Sequence, residues 1–264
     1  MSGARSLAVL LLLCSATGCG GGVGLAEEEE LGDDYAAQLA TQLPLLADPT
    51  ALAELSAIGD ELAAQADPSG RRYDFHLVDS PQVNAFAIPG GHIYVNRGLI
   101  ERADDVSELA GVLGHEIAHV TERHGIEQAQ KRQRTGLLLS LFYMITGRDP
   151  GLLEQVVIQG GAGAVFAKYG RDAEREADER AVGTLVAAGY DPEGIATFFE
   201  ELLREQPGNP RGVDQWFASH PTSAERVRNV RAIIESLGPL DQERLVRDTP
   251  EYDAFRERVM SDEL

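Results

Sequence analysis

The chain has 264 residues, 43% hydrophobic and 25% charged, enough for one sizeable core and unlike a disordered polymer. A formal net charge of -20 at pH 7 excludes the basic face that nucleic-acid phosphates require, and equally a polybasic grip on anionic lipid. Both cysteines, Cys14 and Cys19, fall near the N-terminus, so the folded body offers no disulfide, thiolate ligand or thiol nucleophile.

The opening stretch "MSGARSLAVLLLLCSATGCGGG" sets Arg5 before an apolar run and then small residues, the layout of an export signal. The run is too short for a membrane-spanning helix, which needs about 20 apolar residues. Ala16-Thr17-Gly18-Cys19 resembles a bacterial lipobox, with Ala16 where leucine is usual. Residues 1–18 are therefore expected to be a lipoprotein-type signal, with Cys19 lipidated as the first mature residue. "GGGVGLAEEEELGDD" then reads as a flexible acidic tether over residues 19–34.

Residues 50–66 carry apolar side chains at helical spacing behind a Thr50 cap. "YDFHLVDS" alternates like a strand, and Pro89-Gly90-Gly91 reads as the turn of a hairpin in "PQVNAFAIPGGHIYVNRGLI". His76 and His92 sit on these strands and read as structural. A helix is expected from about Asp104 to beyond Arg123. "TGLLLSLFYMI", the most hydrophobic stretch after the signal, follows and ends at "GRDPG". "RDAEREADERAVGTLVAAG" predicts a helix closed by Gly189, and Asp191-Pro192 opens another. Thr222 and Glu225 form a capping box for the helix after "SHP", and residues 239–264 read as an acidic C-terminal tail. The balance is α+β, predominantly helical with a small β-sheet.

"HEIAH", residues 115–119, carries the chemistry. On a helix His115 and His119 lie about 40° apart, so both imidazoles can reach one Zn²⁺ at about 2.0–2.1 Å. Glu116 is rotated by about 100°, beside such an ion, where a base for a water belongs. Two ordinary histidines on an amphipathic helix would share this spacing. The stripe Val106, Leu109, Leu113, Ile117 and Val120 weighs against that, because the histidines project from nearly the opposite side, as toward a cleft.

A catalytic zinc site wants a third protein ligand and an open fourth position. His124, five residues past His119, falls on the far side of a continuous helix. In "EREADERAVGTL", Ala177, Ala181 and Leu185 form a buried stripe that contains Glu174, with Asp178 beside it. Glu176 and Glu179 project oppositely, as on a solvated face. A carboxylate within a buried stripe is costly without a cation. A Zn²⁺ would remove that cost for Glu174, as would a buried salt bridge with one of the arginines, and "HEIAH" upstream favours the metal. Asp178 is then placed to accept a hydrogen bond from a ligand histidine.

"NAFAIPGGHIYV", "HEIAH", "EREAD" and "SHPTSAERV", in that order, resemble the HtpX/BepA type of zinc metalloendopeptidase, a gluzincin family that includes the CAAX prenyl endopeptidase. The resemblance covers roughly residues 50–236. It implies a zincin-like metallopeptidase domain over residues 35–238, with the sheet bordering the active-site cleft. It implies one Zn²⁺ held by His115, His119 and Glu174, with Glu116 as general base and Asp178 as the second carboxylate. His220 and Arg226 match a late His-Pro loop and its arginine, which lie over the metal to stabilise the transition state or to cap the ion in a latent form. "VNAFAIP" matches a strand against which a peptide pairs. The family's membrane helices have no counterpart in the half-span 136–145, which is expected to cover the cleft as a hairpin or plug.

The combined expectation is a zinc-dependent endopeptidase of the bacterial cell envelope, a periplasm-facing outer-membrane lipoprotein anchored through Cys19. Its expected substrates are unfolded or misfolded envelope proteins, by analogy within the family. The competing reading is a non-catalytic chaperone or binding protein on the same scaffold, which would have no use for Glu116.

Overall fold

The computed structural model describes residues 24–131, 169–204 and 213–261. The signal segment, Cys19 and the hydrophobic stretch 136–145 lie outside the described residues. Helix α1 spans Leu25–Leu39, β1 Leu45–Leu46, α2 Pro49–Ala66, β2 Asp74–Val78, β3 Ala85–Ile88 and β4 His92–Asn96. Then come α3 Arg97–Arg102, α4 Val106–Thr121, α5 His124–Lys131, α6 Arg171–Ala188, α7 Glu193–Arg204, α8 Asp214–Ser219, α9 Ala224–Ser236 and α10 Pro250–Met260.

The four strands form one mixed sheet in the order β1-β2-β4-β3. The expected hairpin is present: β3 pairs β4 antiparallel, turning through Gly90 and Gly91 at φ 92° and 99°, which glycine adopts without a Cβ penalty. β4 then pairs β2 in parallel, which places β3 on the sheet edge. Alternation along the strands divides two faces. Phe75, Leu77, Ile93 and Val95 join the main core with α2 and α4, while Phe86, Ile88 and Tyr94 form a second cluster with Leu39 and Leu43.

That second cluster explains the acidic run. Residues 25–34, expected in a flexible tether, are helical within α1. Glu28 is buried there between Arg71 Nη1 and Arg123 Nη2, each 2.8 Å away. Glu28 of the acidic run thus pins the helix to the body.

Helix α4 is the centre of the molecule. Every residue from Val106 to Val120 is buried, because β3, α2, α6 and α7 pack around it. Close approach to α7 depends on Gly111, where an added Cβ would lie 2.9 Å from the Ile195 backbone nitrogen. The cap of α2 is Asp48, accepting from the Ala51 amide ahead of Pro49, and not Thr50. The C-terminal acidic segment also folds back: Thr249 caps α10, whose Tyr252, Phe255 and Val259 are buried. Tyr252 donates to the Ala103 carbonyl at 2.9 Å. Among the described residues, no helix is long and apolar enough to cross a membrane.

Candidate metal centre

Asp105 caps α4 by accepting from the Glu108 amide, which fixes the start of the helix that carries "HEIAH". Helix α6 packs along α4 and is closed by Gly189 at φ 84°. The small Ala177 and Ala181 in its buried stripe let Glu174 and Asp178 approach the α4 histidines. The third contribution is His220, which ends α8 as its C-cap beneath the buried Trp216, with ring centroids 4.7 Å apart. Thr222, expected as the cap of α9, instead accepts from Trp216 Nε1 at 2.9 Å, and Ser223 takes the cap by accepting from the Arg226 amide.

His115, His119, Glu174 and His220 each offer one donor atom within 4.8 Å of the others. His115 Nε2 is 3.0 Å from His119 Nε2 and 3.3 Å from His220 Nδ1. Glu174 Oε1 lies 3.3 Å from His220 Nδ1 and 3.6 Å from His119 Nε2. All four residues are buried, so the histidines face a closed polar centre rather than an open cleft. The whole circumference of α4 is covered, which a single apolar stripe could not foretell.

Charge and donor chemistry fit a divalent cation. Among the described residues, three buried carboxylates, Glu116, Glu174 and Asp178, surround a single buried guanidinium, Arg226. With neutral histidines, a doubly charged ion balances that set, and two imidazoles with a carboxylate are a donor combination zinc takes. Neither Glu116 oxygen has a well-aligned hydrogen-bond partner among the described residues, and His220 Nε2 is 3.3 Å from Oε1. Burial pushes the Glu116 carboxyl up from the ordinary range, against the pull of His220 and His115. Burial likewise drives His119 well down, reinforced by His115 and His220. For His220 burial lowers, but the carboxylates of Glu116 and Glu174 outweigh it and lift the imidazole. Burial would raise Glu174 and Asp178; neighbouring histidines and Arg226 hold both below the ordinary range.

Asp178 Oδ1 is 3.1 Å from His115 Nδ1, the nitrogen turned away from the cluster. Arg226 donates from Nε and Nη2 to the two Asp178 oxygens at 2.8 and 2.6 Å and from Nη1 to Glu174 Oε2. Its guanidinium also lies 4.6 Å from the Phe199 ring centre. These contacts place the Arg226 donors against the Glu174 and Asp178 carboxylates, which they hold together.

Sequence reasoning missed His124. The chain leaves α4 at Glu122 and passes through Arg123 at φ 56°, so the helix does not continue. His124, expected on the far side, comes back to face the cluster, with its Nδ1 2.9 Å from His119 Nδ1. Tyr169 stacks on the His119 ring at 3.8 Å. No glycine or asparagine marks position 123, so the sequence held no sign of this turn.

Residues 49–234 match the family described as "Peptidase family M48". The chain is similar to the beta-barrel assembly-enhancing protease of Escherichia coli (strain K12), 27% identical over 230 residues, or 85% of this chain and 47% of that one. Similarity to the metalloprotease YcaL of the same organism is 30% identity over 168 residues, covering 64% and 65% of the two chains. To the mitochondrial metalloendopeptidase OMA1 of Homo sapiens it is 32% over 172 residues, covering 60% and 32%. The chain spans about half the length of the beta-barrel assembly-enhancing proteases it matches.

Proposed function

Because the chain belongs to peptidase family M48, we propose that it is a zinc-dependent metalloendopeptidase with a zincin-like fold. The observation that carries this is the convergence of His115, His119 and Glu174 on one buried centre, with Glu116 beside it. Zinc bound there would acidify a water and polarise a peptide carbonyl.

The chain's own residues do the rest. His115 and His119 present Nε2 to the centre, and Asp178 holds His115 from behind through Nδ1. Glu116, whose burial raises its proton affinity, takes a proton from the attacking water and delivers it to the leaving amine nitrogen. Edge strand β3 packs on α4, so an extended peptide pairing with it would run past Glu116. Arg226 keeps Glu174 and Asp178 together and thereby fixes the ligand carboxylate.

His220 supports a closed resting form. Its Nδ1 stands among the donor atoms of the other three residues, in the position that substrate or water would need. Opening then requires His220 to leave the centre, breaking its 3.3 Å contact with Glu116 Oε1.

The cellular setting follows the sequence signals: export, a lipid on Cys19, and a periplasm-facing place at the outer membrane. The relatives' name, beta-barrel assembly-enhancing protease, supports misfolded envelope proteins as substrates. Casein cleavage by the purified chain should disappear on chelation and return with zinc. Cleavage that persists in chelator with no bound zinc would overturn the reading. Mass spectrometry of the mature N-terminus should show an acylated Cys19; an unmodified residue there removes the anchor.

A further inference from the structure

His115 and His119 are supported from behind in different ways. His115 Nδ1 faces the carboxylate of Asp178, itself clamped by Arg226. His119 Nδ1 faces another histidine, His124 Nδ1, at 2.9 Å. The far nitrogen of His124, Nε2, lies 3.4 Å from Glu176 Oε2. We propose that His124 and Glu176 are positioning residues for His119, a His-His-Glu chain that fixes its tautomer and its hold on the metal. This rests on the zinc reading given above.

The geometry permits one consistent arrangement of protons. If His119 Nε2 faces the ion, Nδ1 carries the hydrogen and must donate. His124 Nδ1 is then the acceptor, which leaves the His124 hydrogen on Nε2. That hydrogen points to a carboxylate, which accepts only. Each link thus sets the next, and the exposed end at Glu176 anchors the chain. A backing group of this type orients the ring and raises the basicity of the ligand nitrogen.

The surroundings make the contact deliberate rather than incidental. His124 is 5% exposed and reaches His119 only because Arg123 adopts φ 56°, outside the usual range for its residue type. The Arg123 guanidinium is held by the buried Glu28 at 2.8 Å. Tyr169 stacks on the face of His119, so the ring is restrained in tilt as well as in rotation. Glu176, by sequence one of the residues on a solvated face, acquires a task there that helical spacing could not reveal.

The test is zinc affinity of the full chain, by competition with a chromophoric chelator, beside the melting temperature of the metal-free protein. His124→Ala should raise the zinc dissociation constant about 10- to 100-fold. His124→Gln, whose amide oxygen can accept from Nδ1–H, should recover part of that loss. Glu176 is half exposed, so Glu176→Gln tests the chain without emptying the core, and a severalfold weakening is expected. Two results would overturn the inference while leaving the zinc reading intact: wild-type affinity in both His124→Ala and Glu176→Gln, or identical losses in His124→Gln and His124→Ala that track the metal-free melting temperature. A wild-type chain that takes up no zinc would overturn both.

Discussion

His220 Nδ1 lies 3.3 Å from Glu174 Oε1, inside the set of donor atoms and not above it. With His220 so placed, four protein groups would face a bound ion, as in structural zinc sites, whereas hydrolysis wants one position open. This arrangement matches the closed form proposed above.

Replacing His220 with alanine should vacate that position while His115, His119 and Glu174 remain. Casein cleavage is expected to rise by about tenfold, the gain from removing a closed state favoured by ~1.4 kcal/mol. Zinc stoichiometry should stay at that of the wild type. A fall in cleavage with zinc retained would mean that His220 serves the reaction more than it blocks it.

Asp178→Ala removes both acceptors of the Arg226 fork and the group behind His115. Leaving a buried guanidinium half-partnered should cost roughly 3–5 kcal/mol of stability. Thermal melting of the metal-free protein reads this directly. Asp178→Asn, which keeps one acceptor, should lose less.

Glu28→Ala should loosen α1. The carboxylate bridges Arg71, whose side chain is 4% exposed, and Arg123, at 37%. Because one partner is partly solvated, the loss should fall below the fully buried case, about 2–3 kcal/mol by urea unfolding. Proteolysis within residues 25–39 should quicken in parallel.

A pH effect should come from outside the centre. His76 stacks on Tyr94 and contacts His92, and its pKa is lowered to about 4 by burial, with His92 adding to the fall and Asp74 opposing it. The folded state thus favours neutral His76. That contribution is fully present above the unfolded value of about 6.5 and is lost as pH falls toward 4. Replacing His76 with phenylalanine should flatten the loss of melting temperature between those limits; an unchanged slope would assign it elsewhere.

Much of the centre was legible because helical spacing is rigid. Four residues bring His115 over His119, and the Ala177–Ala181–Leu185 stripe identified Glu174 as a carboxylate on a buried face. What escaped depends on non-local or irregular backbone. The turn at Arg123 has no sequence mark, so His124 was placed on the wrong side. The parallel pairing of β2 with β4 joins strands separated by β3, and a hairpin motif alone does not fix that order. The acidic composition of α1 hid Glu28 as an anchor, since composition averages over the one carboxylate that is buried. The cap of α10 was written in Thr249-Pro250, followed by Tyr252, Phe255 and Val259 at helical spacing, a signal overshadowed by the charges around it.

The central claim is that Glu116 moves the proton in a zinc-dependent peptide hydrolysis. Its most direct test is the casein-cleavage rate of Glu116→Gln beside wild type, with zinc measured in both. A buried amide of the same shape should keep the metal and the fold, and the rate should fall by about 10²–10⁴-fold, the usual share of a general base. Equal rates at equal zinc content would contradict the account.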